Sequence, residues 1–128
     1  MMSTAVAQEF QLSSSEKQEF MDPVTASLKK LIDMHGNKYN PGTTIDKAIK
    51  ISDSEIQLKG YVNYTSRNCG EVHTEYSVNL IFEGSDVYAK PCILTPYCVL
   101  KIETGREWDC SGQKTQIGRK GEKISIKF

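Results

Sequence analysis

The longest regular pattern in the sequence is an alternation of apolar and polar residues from Val72 to Phe82. A side-chain period of two is typical of a β-strand with one buried and one solvent-facing side. The side predicted to be buried is rich in β-branched and aromatic residues, which suit a pleated surface against a core. It comprises Val72, Thr74, Tyr76, Val78, Leu80 and Phe82. The pattern predicts a long central strand in an antiparallel sheet.

Shorter alternating segments predict further strands on both sides of this one. Gly60 falls inside one of them and is expected to weaken it or mark a bulge. Pro91 and Pro96 bracket residues 92–95, which are predicted to be an edge strand or an ordered loop because proline cannot donate to a ladder. The predicted strands cover residues 45–51, 56–64, 72–82, 97–103 and 124–128.

One amphipathic helix is predicted ahead of the sheet. Asp22 is a good N-cap, Pro23 suits the first helical position, and Gly36 suits a left-handed C-cap. A capping-box pattern from Ser13 to Glu16 predicts a separate short helical turn before it. The residues that recur at helical spacing on the apolar face are Val24, Leu28, Leu31, Ile32 and His35.

A sheet with one apolar face needs a cover, and this helix is the only long apolar stripe in the sequence. The sequence therefore predicts an α+β fold. In it, one amphipathic N-terminal helix packs across a twisted antiparallel β-sheet of four to six strands. Residues 1–12 lack periodicity and are predicted to be a flexible leader. Residues 13–128 fit a single domain with one core.

The charge balance argues against two classes of partner. Sixteen basic and sixteen acidic side chains cancel, so no global field would recruit nucleic acid or an anionic membrane. No apolar run approaches the roughly 20 residues that a membrane-spanning helix needs. We therefore predict no nucleic-acid partner and no membrane insertion.

Export is predicted from the N-terminus and from the cysteines. The stretch from Ser3 to Gln8 reads like the end of a signal peptide, with small residues before a predicted cleavage after Ala7. The even set of four cysteines predicts two disulfides in a secreted or periplasmic protein. Four cysteines allow three pairings, and sequence alone does not choose between them. The two considered for the predicted strands are Cys92–Cys98 with Cys69–Cys110, and Cys69–Cys92 with Cys98–Cys110. The four cysteines are Cys69, Cys92, Cys98 and Cys110.

The sequence contains no pattern typical of an enzyme. A nucleophilic cysteine needs a nearby base and a free thiol, but Cys69 is expected in a disulfide and His73 on the solvent face. His35 is interpreted as a residue at the helix C-terminus. No Cys-x-x-Cys pair, Gly-rich phosphate loop or His-Glu-x-x-His motif is present. We predict no catalytic residues, no metal and no cofactor.

Aromatic residues near predicted turns and strand ends indicate a protein interface instead. Tyrosine and tryptophan in such places are frequent interface anchors. The candidates are Tyr61, Tyr88, Tyr97 and Trp108. The predicted function is a small exported, non-enzymatic protein-binding domain, most plausibly an inhibitor or immunity-type protein that neutralises a secreted enzyme or toxin.

Two family resemblances follow from the order of elements. The helix, hairpin and late cysteines, with Gln57 to Tyr64 as the hairpin stretch, resemble cystatin-like folds, and this resemblance implies the architecture alone. The segment from Glu107 to Cys110 is similar to the Trp-x-Cys that closes the sheet of type IV pilin headgroups. That second resemblance implies the alternative function, a pilin-like or other surface-assembly structural subunit.

Overall fold

The computed structural model describes residues 8–40, 42–67, 70–95 and 107–119. Within these residues the chain forms one helix and one antiparallel sheet of eight strands, so the α+β class is confirmed. The strand count exceeds the predicted four to six because several strands have only two or three residues, too few to show an alternation. The elements are β1 Gln8–Phe10, α1 Ser14–Met34, β2 Lys38–Tyr39, β3 Lys47–Ser52, β4 Glu55–Ser66, β5 Gly70–Glu83, β6 Asp86–Thr95, β7 Glu107–Asp109 and β8 Thr115–Arg119.

The helix is longer than predicted and begins at the capping box. The backbone N–H of Ser13 donates to Glu16 Oε1 at 2.9 Å, and the Glu16 N–H donates to Ser13 Oγ at 3.2 Å. The prediction of a new helix at Asp22 is wrong, because α1 continues through Pro23. An interior proline costs about 3 kcal/mol, but burial of the apolar face before and after it favours a single helix. The buried residues of α1 are Phe20, Val24, Ser27, Leu28, Leu31 and Ile32.

The predicted C-terminal cap at Gly36 is confirmed. Gly36 adopts a left-handed conformation, with φ 74°. Its N–H donates to Asp33 O at 3.0 Å, and the N–H of Asn37 donates to Ile32 O at 3.2 Å. These bonds satisfy carbonyls that the last turn of a helix leaves free.

The strand order is β1-β3-β4-β5-β6-β7, with β2 also paired to β4 and β8 also paired to β6. The predicted central strand is confirmed as β5, whose apolar side is buried. β4 and β5 form a long hairpin with an unbroken register from Glu55↔Ile81 to Ser66↔Gly70. Helix α1 packs on the inner face, against β2, β5 and β6.

Gly60 does not mark a bulge, because the β4–β5 register passes through it without a shift. The register shifts lie elsewhere, between Lys50 and Ser52 of β3 and between Val87 and Tyr88 of β6. Gly60 allows the carbonyl of Thr44 to cross the inner face of the sheet. A Cβ at this position would lie 2.0 Å from that carbonyl oxygen.

Residues 92–95 are not an edge strand, which corrects the prediction drawn from the two prolines. They belong to β6, which pairs with β5 on one side and with β7 and β8 on the other. Pro91 is tolerated inside β6 because the neighbouring strand changes there. β8 pairs with residues 86–89 and β7 with residues 93–95, leaving Pro91 between them.

The folded region starts earlier than the predicted leader implies. Gln8–Phe10 form β1, which pairs antiparallel with β3, and Phe10 packs against the core. A three-residue strand gives no detectable period, so the sequence pattern could not reveal it. Residues 1–7 and the predicted strands at 97–103 and 124–128 lie outside the described residues.

Candidate protein-interaction surface

The face of the sheet opposite α1 carries a row of four side chains from four neighbouring strands. Tyr61 of β4 pairs with Glu75 of β5, and Leu94 of β6 pairs with Trp108 of β7. Glu75 lies opposite Leu94 because the adjacent residues, Tyr76 and Ile93, are paired. We call Tyr61, Glu75, Leu94 and Trp108 the outer row.

Two of the predicted interface aromatics therefore lie in one line across the sheet. Tyr61 is 41% exposed and Trp108 is 46% exposed, and with Met34 they are the exposed large hydrophobic residues of the described part of the chain. Trp108 is the single tryptophan of the sequence. Adjacent strands are about 4.8 Å apart, so the two aromatic side chains lie about 14 Å apart along the row.

The Tyr61 ring is held in place by His73. The two rings are stacked, with centroids 5.1 Å apart and planes 4° from parallel. Nδ1 of His73 also contacts Oδ1 of Asn63, the residue that faces it across the β4–β5 pair. His73 is exposed, as expected for the solvent side of β5. This stack reduces the freedom that Tyr61 would lose on binding a partner.

Glu75 is the charged member of the outer row, and it forms no ion pair with any other described residue. Its neighbours across the strands are Tyr61 and Leu94, and its neighbours along β5 on the same face are His73 and Ser77. Glu75 and Leu94 are not among the interface residues predicted from the sequence. The alternation of β5 places Glu75 on the solvent side, but which residues face it depends on the register.

The other two aromatic candidates have different settings. Tyr88 lies on the same face in β6, where the Lys114 ammonium stands 4.7 Å from its ring centroid. The pKa of Lys114 is raised, mainly by a hydrogen bond to Glu83. Nζ of Lys114 and Oε1 of Glu83 are 2.5 Å apart. Tyr88 is not part of the outer row, because it lies opposite Ile81, six residues from Leu94 along β6. Tyr97 lies outside the described residues.

A disulfide joins Cys92 to Cys110 beside the outer row. The two residues are next in the β6–β7 register after Ile93↔Asp109, and their Cα atoms are 4.3 Å apart. Both predicted pairings are therefore wrong, because they assumed different partners for Cys92 and Cys110. Cys69 and Cys98 lie outside the described residues.

A second polar cluster joins the end of α1 to β7. His35 Nε2 lies 2.8 Å from Asp109 Oδ2 and 3.3 Å from Ser111 Oγ. The Ser111 hydroxyl donates to Asp109 Oδ1 at 2.5 Å, so its proton faces the carboxylate and not the imidazole. In a catalytic triad the acid and the hydroxyl contact different imidazole nitrogens, whereas here both contact Nε2. We call this cluster the His35 clasp, and its geometry supports a structural role.

The His35 clasp should make the stability of the fold depend on acidic pH. Burial raises the pKa of Asp109, but the Ser111 hydrogen bonds and the attraction of His35 outweigh it and lower that pKa below 3.8. As the pH falls, Asp109 is therefore protonated in the unfolded chain before it is protonated in the folded protein. The stabilisation from the clasp is complete above pH 3.8, the ordinary pKa of an aspartate, and is lost as the pH falls through the lower pKa of the folded protein. We expect Asp109→Asn to destabilise the protein at neutral pH and to match the wild type at strongly acidic pH. Urea unfolding across that range measures this, and a difference independent of pH would contradict it.

The described residues contain no group of three or more side chains suited to hold a metal ion. None of the described helical segments is both long and apolar enough to cross a membrane.

A groove of about 500 Å³ runs between α1 and β8, lined by polar residues together with Pro23, Ala26 and Ile117. The buried Ser27 hydroxyl beside it has no hydrogen-bond partner among the described residues.

Fold and surface together define a helix-covered antiparallel sheet with an aromatic row on the face that none of the described helical residues covers. Comparisons with protein-family models, with curated proteins and with solved structures find no match.

Proposed function

We propose that this chain is a small exported, non-enzymatic protein-binding domain, most plausibly an inhibitor or immunity-type protein that neutralises a secreted enzyme or toxin. The outer row is the observation that carries the proposal. Two exposed aromatic side chains lie in line on a sheet face that no described helix covers. Aromatic anchors on a rigid surface are the usual source of binding energy at protein interfaces.

The rigidity of the surface supports binding by shape complementarity. The long β4–β5 hairpin carries Tyr61 and Glu75, and the Cys92–Cys110 disulfide fixes β7 with Trp108 to β6. A surface that is already ordered loses less conformational entropy when a partner binds.

The disulfide also supports export. Structural disulfides persist in oxidising compartments and are rare in the cytosol of most organisms. The Cys92–Cys110 pair therefore favours a secreted or periplasmic location for the proposed binding protein.

The proposal predicts that outer-row variants lose their partner. We expect Trp108→Ala and Tyr61→Ala to weaken binding at least tenfold, because a truncated interface anchor typically costs about 2 kcal/mol or more. The measurement is affinity capture from native extracellular or periplasmic fluid with quantitative mass spectrometry, followed by titration of the captured protein.

Met34→Ala is the matched control, because Met34 is 51% exposed but lies at the end of α1, away from the outer row. It should bind like the wild type. Equal capture by all four proteins, or measurable turnover of a small substrate by the purified chain, would contradict the proposed function.

A surface-assembly subunit, pilin-like or of another type, is the alternative function. It is favoured by the position of α1 ahead of strands β2 to β8 and by the closure of β6 and β7 through Cys110, two residues after Trp108. In-cell cross-linking separates the two functions. Ladders of this chain linked to itself support assembly, whereas a single link to a different protein supports the binding domain.

A further inference from the structure

We infer that the outer row binds a partner segment that presents an arginine together with an apolar side chain. The inference rests on the proposed function and specifies the chemistry of the partner. It starts from Glu75, an exposed carboxylate between Tyr61 and Leu94 that has no ion-pair partner among the described residues.

A partner that contacts Tyr61 and Trp108 at once must also cover Glu75, which lies between them in the row. Covering a carboxylate removes its water, and this is costly unless a cation or several donors replace that water. An entirely apolar partner surface would leave the charge unpaired, and an acidic one would repel it. The outer row therefore favours a basic group above Glu75, because a cation replaces the lost water and also neutralises the charge.

Arginine fits this position better than lysine. Its planar guanidinium can bind a carboxylate through two parallel hydrogen bonds and can also lie against an aromatic face. Tyr61 faces Glu75 across the β4–β5 pair, and the Cβ atoms of directly opposite residues are about 5 Å apart. A guanidinium bound to Glu75 can therefore also reach the Tyr61 ring, on the side away from His73. The compact ammonium of a lysine would form the ion pair with Glu75 but could not lie flat against the Tyr61 ring.

The rest of the row fixes where the apolar side chain belongs. Leu94 and Trp108 follow Glu75 on the next two strands, so the middle of their surface lies about 7 Å from the carboxylate. Alternate side chains on one side of an extended segment are separated by about the same distance. An arginine and an apolar residue two positions apart would thus contact Glu75 and the Leu94–Trp108 surface together.

The test uses the intrinsic fluorescence of Trp108, which reports on the outer row alone because the sequence has no other tryptophan. The probes are capped pentapeptides Gly-X-Gly-Leu-Gly in which X is arginine, lysine or citrulline, the last a neutral isostere of arginine. We expect a saturable change with the arginine peptide, weaker binding of the lysine peptide, and at least tenfold weaker binding of the citrulline peptide.

Glu75→Gln should reduce binding of the arginine peptide to the level of citrulline. Glu71→Gln is the matched control, because Glu71 is exposed on the same side of the same strand, and it should leave binding unchanged. No saturable change with the arginine peptide up to about 10 mM, or equal binding of arginine and citrulline peptides, would overturn the inference.

The two proposals fail in different ways. If Trp108→Ala loses the captured protein while Glu75→Gln retains it fully, the arginine inference is overturned and the proposed function stands. If Trp108→Ala retains the captured protein as well, the proposed function fails too. Loss of capture by both variants, with Glu71→Gln unaffected, supports both.

Discussion

Gly60→Ala is expected to lower the free energy of unfolding by about 3 kcal/mol or more, combining overpacking with the loss of a buried hydrogen bond. The new methyl group would lie 2.0 Å from Thr44 O and 3.0 Å from Cε2 of Tyr76. The Tyr76 hydroxyl donates to that same carbonyl at 2.6 Å. Tyr76 is fully buried, and burial is the main cause that raises its pKa. Displacing the Thr44 carbonyl therefore disturbs both the packing and the hydrogen bond.

Gly118→Ala provides the control, because Gly118 is also a strand glycine but has open space where a Cβ would stand. Its change should stay within about 0.5 kcal/mol. Urea denaturation followed by far-ultraviolet circular dichroism measures both variants. Similar stabilities for the two alanine variants would show that the Thr44 carbonyl does not closely approach Gly60.

The fold was predictable from sequence wherever an element is long enough to repeat its pattern. The alternation from Val72 to Phe82 appears in the structure as β5, with the expected side buried. The apolar stripe of α1 is also visible in the sequence, but Pro23 wrongly predicts a helix start. The helix begins instead after the capping box at Ser13. Burying Phe20 and Val24 on one continuous helix stabilises the fold by more than the interior proline costs.

The outer row was predictable only in part, because the residues that lie side by side across strands are decided by how the strands pair. Tyr61 and Trp108 are predicted as anchors from their residue type and place, and they are 47 positions apart in the chain. Nothing in the sequence states that Glu75 and Leu94 lie between them, since that depends on two registers. The predicted cysteine pairings are wrong for the same reason. Cys92 faces Cys110 only because β7 returns along β6.

Removing the Cys92–Cys110 disulfide should cost about 3 kcal/mol on the loop-entropy estimate for a closed loop of this size. The two cysteines are 18 residues apart in sequence. The measurement compares the free energy of unfolding in urea for the wild type and the double variant Cys92→Ala, Cys110→Ala.

Peptide mapping without reduction should recover Cys92 linked to Cys110. If all four cysteines are paired, Cys69–Cys98 is the pairing left, and thiol titration of the denatured, unreduced protein should find no free sulfhydryl.

Loss of this disulfide should also weaken partner binding, because Cys110 is two residues from Trp108 and Cys92 is two residues from Leu94. β7 has only three residues and, among the described strands, pairs only with β6. Of the described contacts, three ladder positions and the His35 clasp then remain to hold Trp108 in the outer row. We expect the double variant to show broader Trp108 fluorescence and a faster dissociation of the captured protein, with association little changed. A variant that is destabilised but dissociates at the wild-type rate would show that the disulfide stabilises the fold without ordering the outer row.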